Sequence, residues 1–309
     1  MLHGLRHRLG GAPVTRFAPS PTGRMHLGHI VNAIYVWGLA RALGGTVYLR
    51  IEDHDRERSR VEFEHGIHYD LQWLGFVPDA DYRQSDRLER YVSALQRLQE
   101  AGRVYWCDCS RQRIARNAGD VGSELRYDGF CRNRGLSAGP DRGVRVRLDG
   151  GDEVFDDARL GMIRQAPADQ CGDLLVRDRH GNWTYQFAVT VDDLADGVSL
   201  VIRGEDLLAS TGRQIQLARL LGRTKPPVFL HHPLVRGHDG EKLSKSNRDT
   251  GIDELRDAGI PAPVVIGRAA VAVGLIDTPS HIAAGDVSQL FRPDRLDRPV
   301  RPDRPVRPG

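Results

Sequence analysis

Cysteine is scarce, with four residues in a chain of 309. So few thiols exclude a disulfide framework and fit a reducing compartment, so a cytoplasmic location is expected. Long apolar runs are missing as well. The least polar stretch, PAPVVIGRAAVAVGLI, is broken by Arg268 and falls short of the roughly 20 apolar residues a membrane span needs. The opening MLHGLRHRLGG is basic but lacks the apolar segment of a secretory leader. A basic body is also absent. The formal net charge is +3, but the closing segment FRPDRLDRPVRPDRPVRPG alone holds six Arg and three Asp. Without it acids and bases balance, so the overall charge gives no sign of a basic groove for nucleic acid.

The remaining composition, 40% hydrophobic and 28% charged, is that of a soluble globular protein. Its length suffices for one large domain or two small ones with a substantial core. The tail, residues 291–309, repeats RPVRP and has almost no apolar content after Phe291. It is therefore expected to be disordered. Its composition favours a solubilising extension over an electrostatic tether for RNA phosphates.

PVTRFA reads as a strand. After the loop PSPTGR, a helical pattern runs through Leu27, Ile30, Val31, Ile34 and Leu39 and stops at Gly44-Gly45. TVYLRI is the next strand, completing a β-α-β unit of a parallel sheet. Ser59 with Glu62 has the spacing of a capping box for the following helix. Leu88, Tyr91, Val92, Leu95 and Leu98 mark another helix, closed by Gly102. RVYW is a strand. From residue 107 to 140 the apolar rhythm lapses, and three of the four cysteines lie there, which predicts an insertion. GVRVRL alternates as a strand, and DLLVRDRHGNWTYQFAVTVDD predicts a hairpin turning at RHGN. SLVIRGEDLL is a strand followed by a loop, and TGRQIQLARLLG is a helix ending at Gly222.

Two stretches carry chemistry. In RFAPSPTGRMHLGH, His26 and His29 fall on one face of a helical first turn, behind a loop tightened by Pro and Gly. A helix N-terminus has unpaired N–H groups and partial positive charge, and two imidazoles add donors for phosphate oxygens. In EKLSKS, Lys242 and Lys245 flank a hydroxyl residue, and two ammonium groups can neutralise a departing pyrophosphate. Alone, each could be a surface feature: two exposed histidines, or a solvated loop.

Together and in this order, RFAPSPTGRMHLGH, RIEDHD, VIRGEDLLAST and KLSKS resemble the motifs of class I aminoacyl-tRNA synthetases of the glutamyl group, from about Val14 to Ser246. The resemblance implies an α/β, Rossmann-like catalytic core over residues 1–246 with a zinc-binding insertion at about 104–140, and a short helical extension over 247–290. It implies ATP with Mg²⁺, and L-glutamate, as substrates. It places Arg16, Phe17, Ala18, Pro19, Ser20, Glu52, Tyr185 and Arg203 around glutamate, His26, Gly28, His29 and Lys245 at ATP, and Lys242 beside them in the catalytic loops. These residue types suit the task. A guanidinium fork grips carboxylates, Glu52 offers a counter-charge for the ammonium, and open α/β sheets bind ligands at the strands' carboxyl edge. Trp183 and Phe187 fit the core better than Tyr185 does. His54 within EDHD and Met25 before the first histidine depart from the family's usual pattern without touching a ligand position.

The stretch after Ser246 is too short for an anticodon-reading helical domain. A shortened branch of the family matches that length: the glutamyl-queuosine tRNA(Asp) synthetases, which activate glutamate without tRNA and attach it to queuosine in the anticodon loop of tRNA(Asp). That acceptor comes from resemblance alone, and a monomer is expected. Cys107, Cys109 and Cys131 in a reduced protein suggest a structural Zn²⁺ site, which ordinarily takes four ligands. No histidine lies between residues 69 and 179, and Asp108, Glu124 and Asp128 are chemically suitable fourth ligands. The resembling family uses a tyrosine four residues before the last cysteine, the position of Tyr127. Cys171 stands apart as an ordinary thiol. Two other readings are a truncated glutamyl-tRNA synthetase charging a 3′ end, and a zinc- and RNA-binding module without catalysis.

Overall fold

The computed structural model describes residues 1–117, 125–235 and 251–291. The chain opens with α1 (Leu2–Leu9) and β1 (Val14–Phe17). Next come α2 (Leu27–Ala42), β2 (Thr46–Ile51), α3 (Val61–Leu74) and β3 (Ala80–Arg83). β1, β2 and β3 pair in parallel, with Arg16 opposite Tyr48 and Ile51 opposite Arg83. α2 is the buried spine of the body. Nearly every residue from Ile30 to Ala40 is inaccessible, as expected of a helix apolar on all sides.

The insertion and its surroundings follow: α4 (Leu88–Glu100), β4 (Val104–Cys107), α5 (Arg111–Asn117) and β5 (Gly143–Val146). β6 (Glu153–Asp157) and β7 (Gly161–Gln165) form an antiparallel pair. After α6 (Pro167–Cys171) and β8 (Leu174–Arg177) come α7 (Tyr185–Ala195), β9 (Leu200–Gly204), α8 (Thr211–Leu220) and β10 (Val228–His232). The last helices are α9 (Ile252–Asp257) and α10 (Ala262–Ala272), with a 3-10 segment at 284–291. Among the described residues no helix is long and apolar enough to cross a membrane.

One sheet has the order β7-β6-β10-β9, with β6, β10 and β9 parallel. It abuts the first sheet where β9 lies beside β1, the Ser199 N–H donating to the Val14 carbonyl at 3.0 Å. The strand order changes direction there, and it is at the carboxyl ends of strands flanking such a point that open α/β sheets bind ligands. The insertion is stitched into the body by a third sheet, β4-β5-β8.

Several sequence expectations change. The helix after β2 is capped by Arg60 without a side-chain bond, so Ser59 and Glu62 make no capping box. The capping box lies at His26 and His29 instead. On α4 the inward stripe is Tyr91, Ala94, Leu95 and Leu98, while Val92 is 56% exposed. Asp178–Asn182 do form a tight turn, but it is closed by one bridge, Arg177 to Trp183, before Tyr185 starts α7. The hairpin is therefore a strand, a turn and a helix. Trp183 and Phe187 are core residues, as expected. Phe291, grouped with the tail by composition, is fully buried. A Cβ on Gly38 would sit 2.3 Å from its ring, so that glycine makes room for Phe291 on α2. Residues 292–309 lie outside the described residues.

Candidate active site

His26 is the N-cap of α2 and folds its ring back on the first turn. The Gly28 N–H donates to His26 Nδ1 at 3.1 Å, and the His26 N–H donates to His29 Nδ1 at 3.1 Å. A backbone N–H can only donate, so both Nδ1 atoms are acceptors and each neutral ring carries its proton on Nε2. The cap thus turns two imidazoles, with centroids 4.1 Å apart, into N–H donors of fixed tautomer at a helix N-terminus. Gly28 permits it, since a Cβ there would lie 2.9 Å from His26 Cε1.

Lys242 and Lys245 lie outside the described residues. Their segment joins Val235 to Gly251, and Gly251 bridges to His26. The Ile252 N–H donates to the Met25 carbonyl at 3.0 Å. Gly251 and Ile252 are therefore anchored beside the histidine turn.

The sequence-predicted glutamate residues converge. Arg16 is in β1 at 4% exposure, Arg203 is in β9 at 3%, and Glu52 follows β2 at 5%. Tyr185, partly buried, is held as a neutral phenol pushed up to about 12, first by burial and then by Glu52. Arg203, Arg16 and Arg50 oppose the shift, so all four charged groups act on this one hydroxyl. Ser20 is partly exposed in the loop after β1. The Pro19 carbonyl accepts the Glu52 N–H at 3.0 Å, tying that loop to the end of β2. The Phe17 side chain does not face the pocket. It is wholly buried against Trp37, because a parallel strand in the sheet interior buries both faces. Only backbone can be offered there, and Ala18 adds no polar side chain.

Residues that sequence reasoning missed hold these groups in place. Arg50 is fully buried; its Nη2 donates to Glu52 Oε1 at 3.0 Å and its Nη1 to Asp193 Oδ1 at 2.6 Å. Arg16 Nε donates to the same Asp193 oxygen at 3.0 Å, and its Nη1 to the Ile202 carbonyl at 3.2 Å. Burial pushes Asp193 upward, but Arg16 and Arg50 hold it below the usual carboxylate range. One signal was available: residues i and i+2 of a strand share a face, which puts Arg50 beside Glu52. Asp193 comes from a distant helix and left no local trace.

In the insertion, the Tyr127 oxygen lies 3.5 Å from Cys107 Sγ and 3.9 Å from Cys109 Sγ, and Cys109 Sγ is 3.5 Å from Cys131 Sγ. A tetrahedral ion with sulfur bonds of about 2.3 Å sets its sulfurs about 3.8 Å apart, so the four atoms fit such an ion. The Tyr127 oxygen accepts the Cys131 N–H at 2.8 Å. Burial and the adjacent sulfurs push the Cys109 thiol up to about 12, so a cation among them is needed before all three ionise. Arg145, 6% exposed, stacks 3.7 Å over the Tyr127 ring and places Nε 3.4 Å from Cys107 Sγ. Of the other carboxylates considered, Asp108 and Asp128 pair with Arg134 and Arg113, and Glu124 lies outside the described residues. Cys171 is buried apart from the cluster, its thiol donating to the Pro167 carbonyl.

A family model, tRNA synthetases class I (E and Q), catalytic domain, matches residues 13–275. The chain belongs to that family. A glutamyl-Q tRNA(Asp) synthetase of Burkholderia cenocepacia is 43% identical over 276 residues, covering 86% of this chain and 90% of the relative. A glutamate–tRNA ligase of Frankia casuarinae is 39% identical over 252 residues, covering 80% of this chain; the chain spans about half of that relative, 53%. In fold, a crystal structure of a glutamate tRNA ligase from Elizabethkingia meningosepticum in complex with its amino acid superposes with a TM-score of 0.76. The identity is 24%, over 92% of this chain and 65% of that one.

Proposed function

We propose that the chain activates L-glutamate with ATP, without tRNA, and transfers the glutamyl group to queuosine in the anticodon loop of tRNA(Asp). The observation that carries the activation half is the gathering of Arg16, Glu52, Tyr185 and Arg203 at the strand ends. Beside them stands a helix whose first turn presents two imidazole donors. The acceptor half is supported by similarity: a glutamyl-Q tRNA(Asp) synthetase is 43% identical over 276 residues.

In the proposed reaction Arg203 and Arg16 hold glutamate carboxylate oxygens, Glu52 takes the ammonium and Tyr185 donates its hydroxyl. An oxygen of the α-carboxylate attacks the α-phosphorus of ATP in line. The new P–O bond forms as the bond to the leaving oxygen breaks, giving glutamyl-adenylate and pyrophosphate. Nε2–H groups of His26 and His29 follow the phosphate oxygens as charge moves, and Lys245 with Lys242 neutralises the leaving group. The acceptor nucleophile then displaces AMP from the glutamyl carbonyl. Mg²⁺ accompanies ATP as its phosphate counter-ion. Cys107, Cys109, Tyr127 and Cys131 would hold a structural Zn²⁺ that fixes the insertion.

Glutamate-dependent ATP–pyrophosphate exchange without tRNA is the test. Exchange without tRNA is expected. Exchange only with tRNA would point to a 3′-charging ligase, and none under either condition to a non-catalytic RNA-binding role. The attached glutamate should then be found on the base and not on the 3′ ribose. Lys245→Ala is expected to slow exchange by roughly 10²–10³; a fully active variant would remove Lys245 from the mechanism.

A further inference from the structure

Arg203 is almost completely buried, yet its hydrogen-bond partners are all neutral side chains. Its Nε donates to His231 Nε2 at 3.1 Å, its Nη1 to Gln214 Oε1 at 2.7 Å and its Nη2 to Thr211 Oγ1 at 2.9 Å. The neutrality of His231 follows from its other side. Asp157 accepts from the N–H groups of Arg159, Leu160 and His231 and lies 2.7 Å from His231 Nδ1. Burial raises Asp157, but those contacts hold it below the usual carboxylate range. It is therefore an ionised acceptor, and the ring proton sits on Nδ1. Nε2 is left with its lone pair toward Arg203. Burial also pulls His231 below the ordinary imidazole value, keeping the ring uncharged. Gln214 is aimed in the same way: its Nε2 donates to Gln186 Oε1 at 2.8 Å, leaving its oxygen for Arg203.

The neighbouring guanidiniums are held differently. Arg16 and Arg50 share Asp193, and Arg50 also takes Glu52. A guanidinium has five N–H donors. Arg203 commits three of them to these neutral acceptors, and the Tyr185 hydroxyl, itself neutral, is a further hydrogen-bond partner. A carboxylate partner would have satisfied the same geometry while cancelling the charge, and an arriving anion would then lose its Coulomb attraction while still shedding water.

We propose that Gln214, Thr211 and the Asp157-held His231 are specificity-determining positioning residues: they orient Arg203 without neutralising it, so that its charge selects an acidic amino acid over the corresponding amide. This rests on the assignment of Arg203 to the glutamate carboxylate.

Gln214→Glu is the sharpest test, because it keeps size and the oxygen facing Arg203 while adding charge, at the loss of the hydrogen bond to Gln186 Oε1. Expected is a rise of at least about tenfold in KM for glutamate in the exchange reaction, KM for ATP held within about twofold, and weaker discrimination against glutamine. Thr211→Asp puts the same charge at the other Nη and should act alike, so whichever variant retains a wild-type melting profile decides. His231→Gln, which keeps a neutral acceptor, should stay within about threefold of the wild-type KM for glutamate. An unchanged glutamate KM in the folded charged variants overturns the proposal. So does a His231→Gln loss as large as theirs, since geometry and not charge would then be what the cradle supplies. If wild type itself lacks glutamate-dependent exchange, the functional reading falls and this inference with it; an active wild type with an indifferent Gln214→Glu removes this inference alone.

Discussion

The pocket and the cysteine knuckle each bury an arginine that has no carboxylate partner among the described residues. Arg203 in the pocket leans on His231, Gln214 and Thr211. Arg145 in the knuckle leans on Cys107 Sγ, the Tyr127 ring and the Asp173 carbonyl, the last at 2.7 Å. Arg50, buried more completely than either, is bound by both Glu52 and Asp193. An isolated buried charge is costly. The difference between Arg50 and the other two therefore separates cations whose counter-charge is built into the fold from cations whose counter-charge arrives with something else. Under the proposed function, for Arg203 that is a substrate carboxylate, and for Arg145 it is a set of sulfurs that would become anionic as ligands of a structural zinc ion.

The comparison can be broken most directly at Arg50. Arg50→Met strands the Glu52 carboxylate in the interior, and a loss of about 3–5 kcal/mol in urea unfolding is expected. Arg203→Met leaves only neutral acceptors behind and should cost roughly 1–2 kcal/mol, while glutamate-dependent exchange disappears. If the two variants lose equal stability, the distinction between neutralised and unneutralised arginines has no energetic content.

A smaller effect is expected in the knuckle. Ligand-orienting neighbours typically contribute about 10–100-fold to metal affinity. Arg145→Met should therefore release zinc to a competing chelator at correspondingly lower chelator concentration. Arg113 and Arg134 also approach the cluster, at 3.4 Å from Cys109 and Cys131, but they are already paired with Asp128 and Asp108. Replacing either by Ala should shift the competition less than Arg145→Met does. An equal shift from all three would mean that burial does not set Arg145 apart.

In both regions the sequence offers candidate ligand residues and is silent about what holds them. His26 and His29 stand out because a broken loop before a helix is a local signal, whereas Glu52 and Arg203 are placed by the family resemblance. The cysteine spacing is local as well. Asp193, His231, Gln214 and Asp157 reach the pocket only through pairings such as β10 with β9 and β6, which no short window contains. Arg50 is passed over in TVYLRI, where charge in a strand normally means exposure. It is inside because Glu52 and Asp193 are there with it. The two histidines read as phosphate donors from their spacing, but their tautomer depends on a capping geometry that spacing alone does not fix. Phe291 was lost to the composition of the residues after it, though Gly38 is shaped around its ring.

His232, next to the cradle's His231, supplies the smallest effect and tests neutrality by itself. Its Nδ1–H donates to the Pro233 carbonyl at 2.9 Å, its ring stacks on Tyr35, and its Nε2 is buried without a hydrogen-bond partner among the described residues. Protonation would put a cation on that orphaned nitrogen, and burial pushes the imidazole down to about 4 from an ordinary value near about 6.5. The folded form is thus the weaker proton binder. Above about pH 6.5 neither state is protonated and stability is unaffected; below it the unfolded chain gains a proton that the native chain refuses until about pH 4. About 2 kcal/mol should be lost by pH 5 from this group. His231, also lowered, acts in the same direction. Comparing wild type with His232→Phe isolates the first ring, since the substitution keeps an aromatic face for Tyr35 and removes the titration. Urea unfolding at pH 7, 6 and 5 should show a shallower decline in the variant, and parallel declines would mean that His232 meets water in the native state.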